Sequence, residues 1–164
     1  MKKPIITLKN IKHAVFSSQE TECFQASVYV NSKLFCIASN AGRGGCNDYA
    51  MKQPNNSWEF NELNRLISDT YPSSKSPFTG ETIEADLESV VNELLDDHLN
   101  AKHFKKIMRN ILFVEKGNKA IYSLAMKATA ENIEACKASK RFSESIILND
   151  LPTDEARAYY ENSK

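Results

Sequence analysis

Between Cys23 and Ala38, hydrophobic and polar side chains alternate with a period of two, the signature of strands with one buried face. Phe24, Ala26, Val28 and Val30 fall on one side of the first strand, and Cys23, Gln25, Ser27 and Tyr29 on the other. After the turn Asn31-Ser32-Lys33, the run Leu34-Phe35-Cys36-Ile37-Ala38 resumes the alternation. Folding back about Asn31-Ser32 pairs Val28 with Phe35 and Ala26 with Ile37. Continued, that register sets Phe24 opposite Ser39 and Cys23 opposite Asn40, and brings Glu20, Glu22 and Cys23 beside the residues that follow the hairpin. A short strand is expected before it, at residues 5–9.

Further along, the period changes to 3.6. Trp58, Phe60, Leu63, Leu66 and Ile67 predict a helix over 58–70, and Tyr71-Pro72-Ser73-Ser74-Lys75-Ser76-Pro77 reads as a loop or hinge. Ile83, Leu87, Val90, Val91, Leu94 and Leu95 predict a second helix starting near Thr82 and running toward Arg109, with Glu81, Glu84 and Asp86 favouring its N-terminal end. Residues 111–115 and 120–126 read as a hairpin about Lys116-Gly117-Asn118-Lys119. A helix over 129–139, a strand over 145–148 and a last helix after Leu151-Pro152 follow. This irregular interleaving predicts an α+β fold of antiparallel hairpins, a long central helix and a C-terminal α/β segment. Residues 1–164 are expected to form one domain, with subdomains 1–71 and 78–164 joined by the Pro72–Pro77 loop.

Three of the five glycines fall in one run, Ser39-Asn40-Ala41-Gly42-Arg43-Gly44-Gly45-Cys46-Asn47-Asp48-Tyr49, where the first hairpin ends. Glycine serves where φ is positive or where something approaches the backbone closely. The run therefore reads either as a tight turn finishing the hairpin or as a nest of N–H groups for an anion, with Arg43 adding charge and Asp48 and Tyr49 orienting the ligand. GxxxxGK[ST] is absent, and Gly42-Arg43-Gly44-Gly45 does not fit GxGxxG. With the expected register, the candidate ligand- or partner-binding residues are Glu22, Cys23, Asn40, Gly42, Arg43, Gly44, Gly45, Cys46, Asp48 and Tyr49.

Composition narrows the function classes. The chain has 41% hydrophobic and 26% charged residues, with 21 basic against 21 acidic side chains, so no global field favours nucleic acid. No apolar stretch approaches the roughly 20 residues that span a bilayer, and Met1-Lys2-Lys3-Pro4-Ile5-Ile6 leads into polar sequence, so a cytoplasmic protein without membrane contact is expected. Cys23, Cys36, Cys46 and Cys136 match no zinc or redox spacing and are expected as reduced core fillers. A cysteine nucleophile would need an imidazole and a carboxylate. His98 follows the apolar stripe as an expected core histidine, and nothing in the spacing ties His13 to a thiol. His98 and His103 lie about 140° apart around a helix and could not share a metal. Lys102, Lys105, Lys106 and Arg109 read as a solvated helix face. No cofactor and no metal is expected.

Glu20-Thr21-Glu22-Cys23-Phe24-Gln25-Ala26, the SN-x-G-x-GG-C run at 39–46, and Leu148-Asn149-Asp150-Leu151-Pro152 followed by Glu155-Ala156 together resemble a group of small uncharacterised proteins carried by phages, prophages and plasmids. The resemblance implies no activity or catalytic residue. It implies a context, that of accessory proteins acting on a host protein, nucleic acid or nucleotide signal. The expected function is a non-enzymatic accessory protein binding a host protein, such as a defence-system component that it inhibits, or a small anionic ligand. The alternative is a small cytoplasmic enzyme, hydrolase or nuclease-like, built around Cys23, Cys46, Asp48 and Glu22.

Overall fold

The computed structural model describes residues 2–51, 57–76 and 78–163. Pro77, the far end of the expected hinge, lies outside them. The fold is α+β, as the change of period predicts. Its contacts gather into two units, residues 1–97 and 98–164, with the boundary inside the helix Leu87–Ile107; residues 72–76 belong to the first.

In the first unit, β1 (Ile6–His13), β2 (Cys23–Val30), β3 (Lys33–Ala41) and β4 (Asp48–Met51) form an antiparallel meander in chain order. Asn31 and Ser32 both have positive φ (48° and 68°), so β2 and β3 are joined by a two-residue turn whose twist matches the strands. Val30 pairs with Lys33 and Tyr29 with Leu34, as the sequence register requires. One residue later the expectation fails. A bulge at Phe35 shifts the ladder, so Val28 faces Cys36, Ala26 faces Ala38, Phe24 faces Asn40 and Cys23 faces Ala41. Because side chains alternate, the inserted residue turns the smaller set Cys36, Ala38 and Asn40 inward and leaves Phe35 and Ile37 half-buried on the other side.

The inner face is therefore a set of cross-strand rows. Leu8, Val28, Cys36 and Met51 form one, Ala26, Ala38 and Tyr49 a second, and His13, Phe24 and Asn40 a third. Two helices supply its apolar cover. From α1 (Ser57–Thr70) come buried Leu63 and Ile67, and from α2 (Leu87–Ile107) come Leu87, Val90, Val91 and Leu95. Phe60 of α1 meets the ring of Tyr49 at 5.4 Å. Small side chains at the centre of a sheet face let a helix approach closely, and Ala26, Ala38 and Cys36 are all fully buried.

The second helix begins later than its apolar stripe suggests. Asp86 and Ser89 form a reciprocal capping box, Ser89 N–H donating to Asp86 Oδ1 (2.8 Å) and Asp86 N–H to Ser89 Oγ (2.9 Å), while Leu87 N–H donates to Asn64 Oδ1 (2.8 Å). Residues 82–83 instead form β6 (Thr82–Ile83), paired with β5 (Ser74–Lys75) inside the expected hinge region. His98, expected in the core, is exposed, because it stacks one turn after Leu94, itself only half-buried at the edge of the stripe. Lys102, Lys105, Lys106 and Arg109 are exposed as well.

The second unit contains a three-stranded antiparallel sheet in the order β8 (Ile121–Lys127), β7 (Asn110–Glu115), β9 (Ser145–Ile147). Central β7 is buried on both faces. Leu112 and Val114 pack with Phe104, Leu148, Ala156 and Tyr160, the last two from α4 (Thr153–Asn162), while Ile111 packs with Ile147 and Cys136 of α3 (Ala130–Ala138). Asn149 locks the Leu148–Asp150 turn to β7: its Oδ1 accepts from Leu112 N–H (2.7 Å), and its Nδ2 donates to the carbonyls of Met108 and Asn110 (3.0 Å each). The Leu148-to-Pro152 segment thus has a structural task.

Two tests follow from the packing. Ala38→Leu overfills the inner face and should cost about 1–3 kcal/mol in denaturant unfolding, whereas the same change at exposed Ala50 should cost little. The Cys36 thiol is pushed by burial from 9.0 up to about 12. The unfolded chain then releases that proton first, so stability should fall as pH rises above about 9. Tyr49 and Tyr71, also raised by burial from 10.0, add their share only at higher pH. The slope of the denaturation midpoint between pH 9 and 10 should therefore flatten in Cys36→Ala.

Candidate functional site

The residues singled out in sequence gather at one end of the four-stranded sheet. The bulge at Phe35 decides how. It turns Asn40 inward, where only 8% of its surface is exposed, and its carboxamide is fully used. Asn40 Oδ1 accepts from Thr21 Oγ1 (2.7 Å) and Gly42 N–H (2.8 Å), and Nδ2 donates to Gly45 O (3.2 Å) and Asn47 Oδ1 (3.1 Å). Thr21 Oγ1 also accepts from Gly44 N–H (3.3 Å). From buried Asn47 the network reaches α2: Asn47 N–H donates to Glu88 Oε1 (3.0 Å) and its Nδ2 to Asn92 Oδ1 (2.8 Å).

The glycines serve this geometry. Gly42 has φ +81°, and a Cβ there would meet the Ser17 carbonyl oxygen at 2.2 Å and Cys23 Cβ at 2.8 Å, while its own carbonyl accepts from Gln19 and Glu20 N–H. Gly45 has φ +85° with open space about it. Two N–H groups of the expected anion nest, those of Gly42 and Gly44, are bonded to Asn40 and Thr21. Arg43 is exposed, and no described residue binds its guanidinium. Cys23 lies beside Gly42 rather than opposite Asn40, the one-residue shift made by the bulge. Cys46 is exposed, not a core filler, and Asp48 is exposed at the start of β4. Tyr49 points inward, its hydroxyl buried near the Asn47 side chain without a hydrogen bond of good geometry, and burial raises its phenol.

The sequence names His13 as an imidazole with no tie to a thiol, but does not place it on β1 beside Glu22. Asn10 (φ 53°) sits in a bulge that breaks the alternation of β1, and the strand then continues to His13, opposite Phe24. His13 Nε2 lies 2.5 Å from Glu22 Oε2 and 3.4 Å from Ser18 Oγ. The imidazole is enclosed, with 10% of its side chain exposed. Ser18 Oγ donates to Ala14 O and accepts from Cys23 N–H. A nucleophile–base–carboxylate relay needs the hydroxyl and the carboxylate on opposite ring nitrogens. Here both meet Nε2, and neither Cys23 nor Cys46 bonds the ring, so the cluster is a fastening of the loop 14–22 to β1. Among the described residues no group of three His, Cys, Asp or Glu could hold a metal ion.

Beside the network opens a pocket of about 210 Å³. Its lining residues include the acidic Glu22, Glu88 and Asp96, the amides Asn47 and Asn92, and the apolar Phe24 and Leu95. Of the sequence candidates, Glu22, Asn40 and Gly45 line it. The chain is neutral overall, but residues 1–97 hold 9 Lys and Arg against 13 Asp and Glu. Comparison with protein-family models, curated proteins and solved structures gives no match. No helix among the described residues is long and apolar enough to cross a membrane.

The glycine substitutions should separate by mechanism. Gly42→Ala forces backbone against backbone and should destabilise more than Gly45→Ala, which meets only the strain of a positive φ, about 1–2 kcal/mol. Urea midpoints measure both. Equal losses at the two positions would contradict the close approach of Gly42 to Ser17.

Proposed function

We propose that this chain is a non-enzymatic accessory protein of a phage or other mobile element that acts in the host cytoplasm. It binds a host protein, foremost a component of a bacterial defence system, and inhibits it. The mobile-element context rests on the sequence resemblance alone. What supports binding over catalysis is the geometry at His13, where carboxylate and hydroxyl compete for one nitrogen and no thiol takes part.

A protein partner is favoured over a small anion. The glycine loop spends two of its N–H groups internally, and its neighbouring pocket carries carboxylates. Next to that loop, the turn Val15–Ser17 presents Val15 and Phe16, 74% and 92% exposed. The turn is held by Ser17 N–H to Ala14 O and Ser18 N–H to Val15 O, and the chain after it by Gln19 N–H to Gly42 O. An apolar tip on a fastened backbone loses little conformational entropy on docking, which is the property of an interface anchor.

The test expresses the tagged chain in cells carrying a defence system, measures relief of phage restriction, and identifies the bound component by native mass spectrometry. Phe16→Ala and Arg43→Ala should keep the parent melting temperature, since exposed side chains add little to stability. Both should reduce capture and relief together, Phe16→Ala by about tenfold or more, as for an anchor residue. Undiminished capture and relief by both variants would exclude this surface as the interface.

A further inference from the structure

The pocket beside the glycine loop has a composition that selects its occupant. At about 210 Å³ it is smaller than the roughly 300–1,000 Å³ usual for drug-sized ligands. It is the right scale for one side chain or a small amine. Phe24 and Leu95 offer apolar wall, and Glu22, Glu88 and Asp96 offer negative charge. An anion entering it would be desolvated against like charge. A bare divalent ion would need its carboxylates to converge, and the described residues hold no such group. What satisfies both kinds of wall is an alkyl stem ending in a cation.

We propose that this pocket receives the ammonium or guanidinium end of a lysine or arginine side chain, contributed by the bound protein. The inference rests on the binding reading above and names the chemistry of the contact. Acidic lining residues come from two separate segments, Glu22 ahead of β2 and Glu88 and Asp96 on α2. Rigid placement comes from existing bonds: Glu88 holds Asn47 N–H, Asn92 holds the Asn47 amide, and Glu22 holds His13. The excess of acidic residues in 1–97 adds a long-range attraction that falls with salt.

The experiment titrates the full chain, labelled for NMR, with Nα-acetyl-lysine methylamide and Nα-acetyl-arginine methylamide, and separately with n-butylammonium, magnesium chloride and sodium phosphate. The two amino-acid amides should move the Asn47 and Glu88 backbone resonances and the Asn92 side-chain amide, saturating in the low-millimolar range expected of a single buried group, about 1–10 mM. Butylammonium carries the stem and head of lysine and should move the same resonances; its failure to do so while the amides bind would place the contact on their amide groups and overturn the cation-headed stem. Magnesium or phosphate moving the same resonances would overturn the cation-headed stem altogether. The variants are Glu88→Gln, which keeps an oxygen for Asn47 N–H, and Glu22→Gln. Together they should weaken both amides about tenfold or more under conditions where circular dichroism shows the fold retained. Unchanged affinity overturns the proposal. Should the double variant unfold, each single variant and the salt dependence of the parent serve instead, and affinity indifferent to salt counts against the proposal. The titration needs no partner, so it stands if capture by the parent fails. A partner captured equally by parent and Glu88→Gln sinks this inference while leaving the binding reading intact.

Discussion

One carboxamide holds the loop end of the sheet together. Asn40 has two acceptor and two donor positions, and all four are spent on the strand-connecting segments around it. Such a side chain is valuable only if it points inward, and it does so because β3 carries one extra residue at Phe35. Without that bulge Asn40 would face the other side of the sheet, and Gly42 N–H and the Thr21 hydroxyl would lose the acceptor that fixes the turn. A buried network of this kind is cooperative, since the hydroxyl of Thr21 both accepts from Gly44 and donates to Asn40. The shape of the neighbouring pocket follows from it, through Asn47 to Glu88 and Asn92.

Much of the fold was legible in the sequence, and the failures have a common cause. Helix α1, the turn Asn31-Ser32, the hairpin about Gly117 and the order of the C-terminal elements follow from periodicity and turn chemistry. The register beyond Phe35 and the length of β1 do not. A periodic pattern contains no signal for an inserted residue, and in a strand a single insertion exchanges the two faces. The start of α2 is a different error. Acidic residues before an apolar stripe suggest a helix N-terminus anywhere from Glu81 onward, and only the reciprocal pairing of Asp86 with Ser89 chooses the position.

The candidate site was legible as a location, not as a mechanism. Clustered glycines marked where the chain turns sharply, but whether their N–H groups face a ligand or a side chain depends on Thr21 and Asn40, which come from two different strand ends. Glu88 and Asn92 lie 41 and 45 residues from Asn47 and carry no spacing that points to it. His13 was hidden by the interruption at Asn10. Overall neutrality likewise concealed the acidic surplus of residues 1–97, because a sum over the chain cannot record where charge sits.

The kink at Asn10 has a consequence beyond the site. Among the described residues the four-stranded sheet ends at β1 and β4, and an edge strand is a row of backbone donors and acceptors able to recruit a strand from another molecule. In β1 the row is broken between Lys9 and Lys12, and Lys9 folds its ammonium over the ring of Tyr29 rather than leaving a flat ribbon. In β4 the row is four residues long and begins with the exposed carboxylate of Asp48. The same irregularity that hid a histidine from the hydrophobic pattern makes this sheet a poor seed for aggregation.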